Sequence, residues 1–251
     1  MASKVKHLRS RARIGRRFAL FPLTGYPTSR LPNWEKTEAR VLASPDMGAE
    51  FVEYLLKLES NGGTRQKPDN QTETFFYLLS GQALLKLPDR QPHKLMAGGF
   101  ALLPPNVSYE IEMLQPGEIL ALKKTYQPAD GIPLFKPLIG NASAVPAEPW
   151  MNNKHSRLQT LIPDELQYDL AMNIFAFDPG HGLPYVETHV MEHGLYFLQG
   201  KGDYFLEDTW MKAQTNDFIW MGPYCPQCFI ADKPVPAKYI YYKNINREIP
   251  L

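Results

Sequence analysis

The amino-acid sequence predicts an all-β protein built from two tandem antiparallel β-barrels, and three observations carry that prediction. The first is punctuation: 23 prolines and 17 glycines in 251 residues interrupt the chain too often for long helices and suit short elements joined by turns. The second is a succession of short segments rich in β-branched and aromatic residues, each ending at Gly, Pro, Asn or Asp, as in a sandwich or barrel. The third is an internal repeat. T-E-T-F-F-Y-L-L-S-G at residues 72–81 aligns with M-E-H-G-L-Y-F-L-Q-G at residues 191–200, setting Gly81 on Gly200 and Tyr77 on Tyr196.

Taken in order, residues 1–38 read as a basic N-terminal arm, residues 39–140 as a first barrel and residues 141–251 as a second. The formal net charge of +1 hides an asymmetry, because the first 17 residues carry Lys4, Lys6, Arg9, Arg11, Arg13, Arg16 and Arg17 and no acid. The rest holds 20 of the 27 basic residues against all 26 acidic ones. An acidic body with a short basic start argues against nucleic acid as the default partner and favours a flexible or subunit-docking arm. The arm also has the composition of a transit sequence. No apolar run reaches the roughly 20 residues of a membrane-spanning helix, so a soluble, cytoplasmic protein without a membrane partner is expected.

Strands are expected at 51–58, 74–79, 82–87, 107–113 and 118–124 in the first unit, and at 168–177, 195–198, 203–206, 218–221 and 238–243 in the second. Short helices are expected only in the acid-rich entry to the first unit and near 163–167. The repeat continues beyond its glycine: residues 98–109 fall on 215–227, and Lys124 on Lys243. The Pro-rich stretch 127–150 joins the two copies. Cys225 and Cys228, spaced C-P-Q-C, lack both the βαβ context of a redox pair and a second Cys pair for structural zinc, so both are expected reduced.

Chemistry concentrates in E-T-H-V-M-E-H, residues 187–193. Wound as a helix, it would present His189 and His193 with Glu192 as an H-x-x-E-H zinc-protease motif. Extended, it would place Glu187, His189, Met191 and His193 on one face and turn Glu192 away. The β-type counterpart at 72–79 and Pro184 just upstream favour the extended form. Gln227, after a Gly-Pro turn, is the candidate fourth ligand. Two imidazoles, one carboxylate and one amide leave octahedral positions open, which suits Mn²⁺ or Fe²⁺ better than a closed zinc site. A divalent ion facing one carboxylate favours an anionic substrate. The first unit has Pro68, Asn70, Thr74 and Tyr109 at the aligned positions and cannot bind a metal in that way.

These residues resemble the cupin superfamily. Its first motif appears here as Gly180, Glu187-Thr-His189, His193 and Gly200, and its second as Asn216-Asp217 through Gly222 to Gln227. The permuted ligand types, with F-I-W-M-G-P, P-Q and the closing Y-I-Y-Y-K-N-I-N-R, resemble the (S)-ureidoglycine aminohydrolase family of bicupins over roughly residues 40–251. That resemblance implies two jelly-roll barrels and Mn²⁺-dependent release of ammonia from (S)-ureidoglycine, giving (S)-ureidoglycolate in allantoin and purine catabolism. It implies metal ligands Glu187, His189, His193 and Gln227, with Tyr204, Tyr239 and Lys243 contacting a small anionic ureido substrate. Lys243 or Glu187 would act as catalytic base. It also implies a homo-oligomer, and no role for Met191 or the cysteines. A cupin isomerase, an Fe²⁺ dioxygenase on a small keto or hydroxy acid, and a non-catalytic ligand-binding bicupin fit the same residue pattern.

Overall fold

The computed structural model describes residues 10–249. The strands of the first half are β1 (Arg13–Ile14), β2 (Phe18–Pro22), β3 (Trp34–Ala43), β4 (Phe51–Gln66), β5 (Thr72–Lys86), β6 (His93–Met96), β7 (Gly99–Leu103), β8 (Tyr109–Thr125) and β9 (Leu138–Asn141). Those of the second half are β10 (Glu148–Trp150), β11 (Asn153–Thr160), β12 (Leu170–Phe177), β13 (His193–Gln199), β14 (Lys201–Leu206), β15 (Thr209–Gln214), β16 (Asp217–Met221), β17 (Gln227–Ala231) and β18 (Ala237–Asn244). The ten expected segments map onto eight strands, because 74–79 and 82–87 are both part of β5, and 107–113 and 118–124 both part of β8. The expected short helices are absent: among the described residues only 3₁₀ turns occur, at Leu23–Gly25, Pro45–Met47 and Ala142–Ala144. The acid-rich entry extends instead into β3, because its side chains alternate between solvent and the barrel interior.

The first barrel is a seven-stranded sheet in the order β3-β4-β8-β5-β7-β9, with β6 added on β5. The second combines an eight-stranded sheet, β1-β2-β16-β13-β18-β12-β11-β10, with a three-stranded one, β15-β14-β17. The pairings between these strands are antiparallel. Two strands come from the segment expected to be a separate arm. β2 pairs β16 of the second barrel, and the Arg11 guanidinium forms a two-pronged ion pair with the buried Asp217 carboxylate at 2.5 and 2.7 Å. The described part of the arm is therefore docked on its own chain. Arg9 and the residues before it lie outside the described range.

Period-two alternation sorts side chains between two kinds of core. On β18, Tyr239 and Tyr241 enter the interior of the second barrel, whereas Ile240 and Tyr242 enter a core shared by both halves. That shared core joins Phe51, Phe75 and Leu120 of the first half to Leu170, Tyr196 and Tyr242 of the second. Full burial of each such side chain stabilises by about 1.5–3 kcal/mol, enough to hold the barrels together. The repeat glycines have a shared cause. Gly81 and Gly200 both adopt positive φ, and a Cβ at either would meet a carbonyl oxygen at 2.6 or 2.4 Å.

The strand registers refine the repeat. Thr74 pairs Lys123 as His193 pairs Lys243, so the counterpart of Lys243 is Lys123 and not Lys124. Gln66 pairs Tyr109 as Glu187 pairs Gln227, so Gln66, and not Pro68, stands at the Glu187 position. The sequence alignment missed both because the spacing between copies drifts by one or two residues along the unit.

Candidate metal centre

The segment 187–193 is neither a helix nor a continuous strand. Glu187 forms a single bridge to Gln227, its N–H donating to the Gln227 carbonyl and the Gln227 N–H to the Glu187 carbonyl, both at 2.9 Å. The chain then turns, with the Tyr224 N–H donating to the His189 carbonyl at 2.7 Å, and regular pairing begins at His193. The helical protease reading is excluded, and the expected strict alternation is corrected to a bridge, a turn and a strand start.

This path brings the two imidazoles together. His189 Nε2 and His193 Nε2 lie 3.2 Å apart, and Gln227 Nε2 lies 3.3 Å from His189 Nε2. The His193 Nδ1 faces the Tyr242 carbonyl at 3.0 Å. Nδ1 is therefore the donor, and the Nε2 lone pair points into the site. Complete burial pushes the His193 pKa down to about 3, and burial lowers that of His189, so both rings present neutral, ligand-ready nitrogens. Two nitrogens bound at about 2.1 Å would be about 3.0 Å apart at right angles and about 3.4 Å apart at the tetrahedral angle. The observed separation falls between, and a divalent ion fits the pair.

Glu187 lines the same cavity. Its carboxylate has no hydrogen-bond partner among the described residues, where no three His, Cys, Asp or Glu side chains close on a single point. Completing a four-ligand set requires this side chain to turn toward the imidazoles. Burial raises its pKa, and the nearby Lys243 ammonium partly offsets that rise.

Gln227 is buried with its amide between two partners: the Tyr204 hydroxyl donates to Oε1 at 2.9 Å while Nε2 faces His189. To ligate an ion beside the imidazoles the amide must present its oxygen to them. Tyr204 is compatible with both orientations, because a phenol can donate to the amide oxygen or accept from its N–H.

The cavity encloses about 200 Å³ and is lined by Glu187, His189, His193, Tyr204, Gln227, Tyr239 and Lys243, every site residue expected from the sequence. Lys243 is half-buried and no carboxylate among the described residues forms an ion pair with it. Burial lowers its pKa, opposed by Asp164 and Glu187. Six further residues line it, Trp150, Phe175, Met191, Leu195, Met221 and Tyr241, and of these the sequence places only Met191 on the ligand face. Trp150 has its indole N–H buried without a partner, a donor facing no acceptor. Its position on a three-residue strand inside the Pro-rich connection gave no sequence signal. Met191, which the extended reading puts on the ligand face without a role, is part of the wall. Glu192, as expected, turns away. Its carboxylate accepts from the Glu50 N–H at 3.2 Å, the Trp220 indole at 3.3 Å and the Tyr242 hydroxyl at 3.4 Å, tying the two barrels together. Cys225 and Cys228 are free and buried, and burial pushes the Cys225 thiol up to about 11.

No family model matches the chain. It is 33% identical over 240 residues to the (S)-ureidoglycine aminohydrolase of Escherichia coli (strain K12), spanning 93% of this chain and 90% of that protein. It is 31% identical over 232 residues to the probable (S)-ureidoglycine aminohydrolase of Oryza sativa subsp. japonica, covering 92% of this chain and 74% of that one. The crystal structure of protein Ylba from E. coli superposes with a TM-score of 0.86 at 33% identity over 96% of each chain. A cupin 2 conserved barrel domain protein from Leptotrichia buccalis, at 13% identity and TM-score 0.63, shares the fold, covering 90% of this chain and 96% of that one. Two cupin barrels in one chain, with a polar His–His–Gln cluster in only the second, define a bicupin. The relatives narrow this class: the chain belongs to the (S)-ureidoglycine aminohydrolase family and is an enzyme.

Proposed function

We propose that the chain catalyses Mn²⁺-dependent release of ammonia from (S)-ureidoglycine, giving (S)-ureidoglycolate. The observation that carries this reading is the convergence of His189, His193 and Gln227 in a cavity that also exposes the Glu187 carboxylate and a lysine without an ion-pair partner. Glu187, His189, His193 and Gln227 would hold the ion. When bound, it supplies a fixed positive charge that anchors and polarises an anionic substrate.

The chain's own residues supply the rest. Lys243 pairs with the substrate carboxylate, a role that compensates a half-buried ammonium otherwise costly to hold there. Tyr204 and Tyr239, both buried, offer hydroxyls to the ureido group and orient the reacting carbon. The apolar walls Phe175, Leu195 and Met221 exclude bulk water, which strengthens each of these contacts. In the reaction the oxygen of water bonds to that carbon as the bond to the amine nitrogen breaks. The nitrogen leaves with the electron pair and collects a proton that originates from the water, so no oxidant is required. With Glu187 committed to the ion, and burial pushing the phenols of Tyr204, Tyr239 and Tyr241 further from ionisation, Lys243 is the side chain assigned to move that proton, its ammonium giving one to the leaving nitrogen and taking one back from the water.

Replacing Lys243 by Met tests the assignment. Turnover is expected to be lost while bound metal and the unfolding midpoint are retained; unchanged turnover would remove Lys243 from the site.

A further inference from the structure

The barrel that lacks the histidines keeps a lysine at the Lys243 position. Lys123 occupies on β8 the place that Lys243 occupies on β18. It pairs Thr74 on one side and Val52 on the other, as Lys243 pairs His193 and Ala171. Alternation sends Lys123 to the same side as Ala121 and Ile119, both in the interior core of the first barrel. Lys124 goes the other way, into the seam between barrels, where it is buried against Asp169 and Glu73. Lys124 is thus neutralised by acids. Lys123 is not: no ion pair or hydrogen bond satisfies its ammonium among the described residues.

Beside it lies a pocket of about 150 Å³ lined by Leu31, Trp34, Tyr54, Gln66, Ala121 and Lys123. The lining follows that of the metal centre with compensating exchanges. Where the second barrel pairs Asn173 with Tyr241, the first pairs Tyr54 with Ala121, so an aromatic ring is kept but is supplied by the neighbouring strand. Gln66, at the Glu187 position, removes the carboxylate that would compete for the ammonium. Thr74 and Tyr109, at the His193 and Gln227 positions, remove the metal. Asp69, the acid whose charge acts on Lys123, is engaged with the Gln71 and Thr72 N–H groups and the Thr72 hydroxyl. The pocket keeps the lysine and the aromatic wall while losing every negative or metal-binding group.

We propose that this pocket is a second, metal-independent binding site for a small carboxylate, with Lys123 as its counter-ion and Tyr54, Trp34 and Gln66 as its walls. Its volume confines the ligand to a few heavy atoms, well below the 300–1,000 Å³ of drug-sized sites. The Lys123 side chain is half-buried and its ammonium meets no acid or acceptor among the described residues, and an anion in the pocket supplies that partner. The inference does not rest on the reaction proposed above, because it concerns the other barrel.

The test counts sites by equilibrium dialysis of the full chain against radiolabelled N-carbamoylglycine, a stable molecule with one carboxylate and one ureido group. The expected result is two molecules bound per chain in the wild type and one in Lys243→Met, the latter lost in the Lys123→Met/Lys243→Met double variant and restored when Lys123 is Arg. Thermal unfolding of each variant identifies any loss due to misfolding, and the Arg variant separates a charge requirement from a packing one. No binding to Lys243→Met, or undiminished binding to the double variant, would overturn the proposal. Turnover reports on the second barrel alone, so failure here is distinguishable from failure of the proposed reaction.

Discussion

Tyr204→Phe separates two roles that the Tyr204 hydroxyl can play. The ring is fully buried, and its hydroxyl makes one hydrogen bond, to Gln227 Oε1 at 2.9 Å. Phenylalanine keeps the ring and removes only the oxygen, so packing against Phe197 and Phe229 is undisturbed. What is lost is the contact that fixes the Gln227 amide, leaving a buried amide with one unsatisfied side at a cost of about 1–3 kcal/mol. If Gln227 ligates the ion, that cost falls on the loaded state, since the amide must be held with its oxygen toward the imidazoles. Loss of such an outer hydrogen bond weakens metal binding roughly 10- to 100-fold, which is about 1.4–2.8 kcal/mol. Competition for Mn²⁺ against a chelator of known affinity measures this, with the unfolding midpoint of the metal-free protein as control. Unchanged Mn²⁺ affinity with impaired turnover would exclude a hold on the ligand amide and leave Tyr204 as a substrate contact only.

Three other substitutions probe the carboxylates. Glu187→Ala is expected to lose stoichiometric metal, whereas Glu192→Ala keeps the metal and lowers the unfolding midpoint, because the Glu50 N–H, the Trp220 indole and the Tyr242 hydroxyl lose their acceptor; metal analysis showing the reverse would remove Glu187 from the ligand set. Glu53 is fully buried with one carboxylate oxygen unpartnered, and burial pushes its pKa up to about 8. A carboxyl group with a raised folded-state pKa favours folding fully below its ordinary value near 4.5. Stability then falls, by about 1.4 kcal/mol per pH unit, until the folded pKa is passed. Glu53→Gln should therefore flatten denaturant-unfolding stability between pH 5 and 8 relative to wild type; parallel pH profiles would rule this out.

The architecture was legible because the two periodicities that specify it are local. Alternation along 238–243 announces a strand buried on both faces, and a glycine that must adopt positive φ in each copy anchors the repeat at Gly81 and Gly200. The site was legible where ligand types cluster in sequence, as in Glu187, His189 and His193, or where a turn announces a strand start, as before Gln227. Features set by tertiary register were not. The correspondence of Lys123 with Lys243 depends on which residues pair across β5 and β8, and alignment by glycines slipped by one. Trp150 enters the cavity from a three-residue strand, too short for periodicity to mark an inward face. The docking of β2 on β16 joins residues about 200 apart in sequence, and the basic composition around β2 suggested solvent instead.

The proposed function makes the second barrel a metal-dependent ammonia-releasing site for an anionic ureido substrate. The most direct measurement is ammonia release from freshly generated (S)-ureidoglycine by chelator-treated protein, with and without added Mn²⁺, after subtracting spontaneous loss. Release restored by Mn²⁺ and absent without it is the predicted result. No release above the spontaneous rate under either condition would exclude that function.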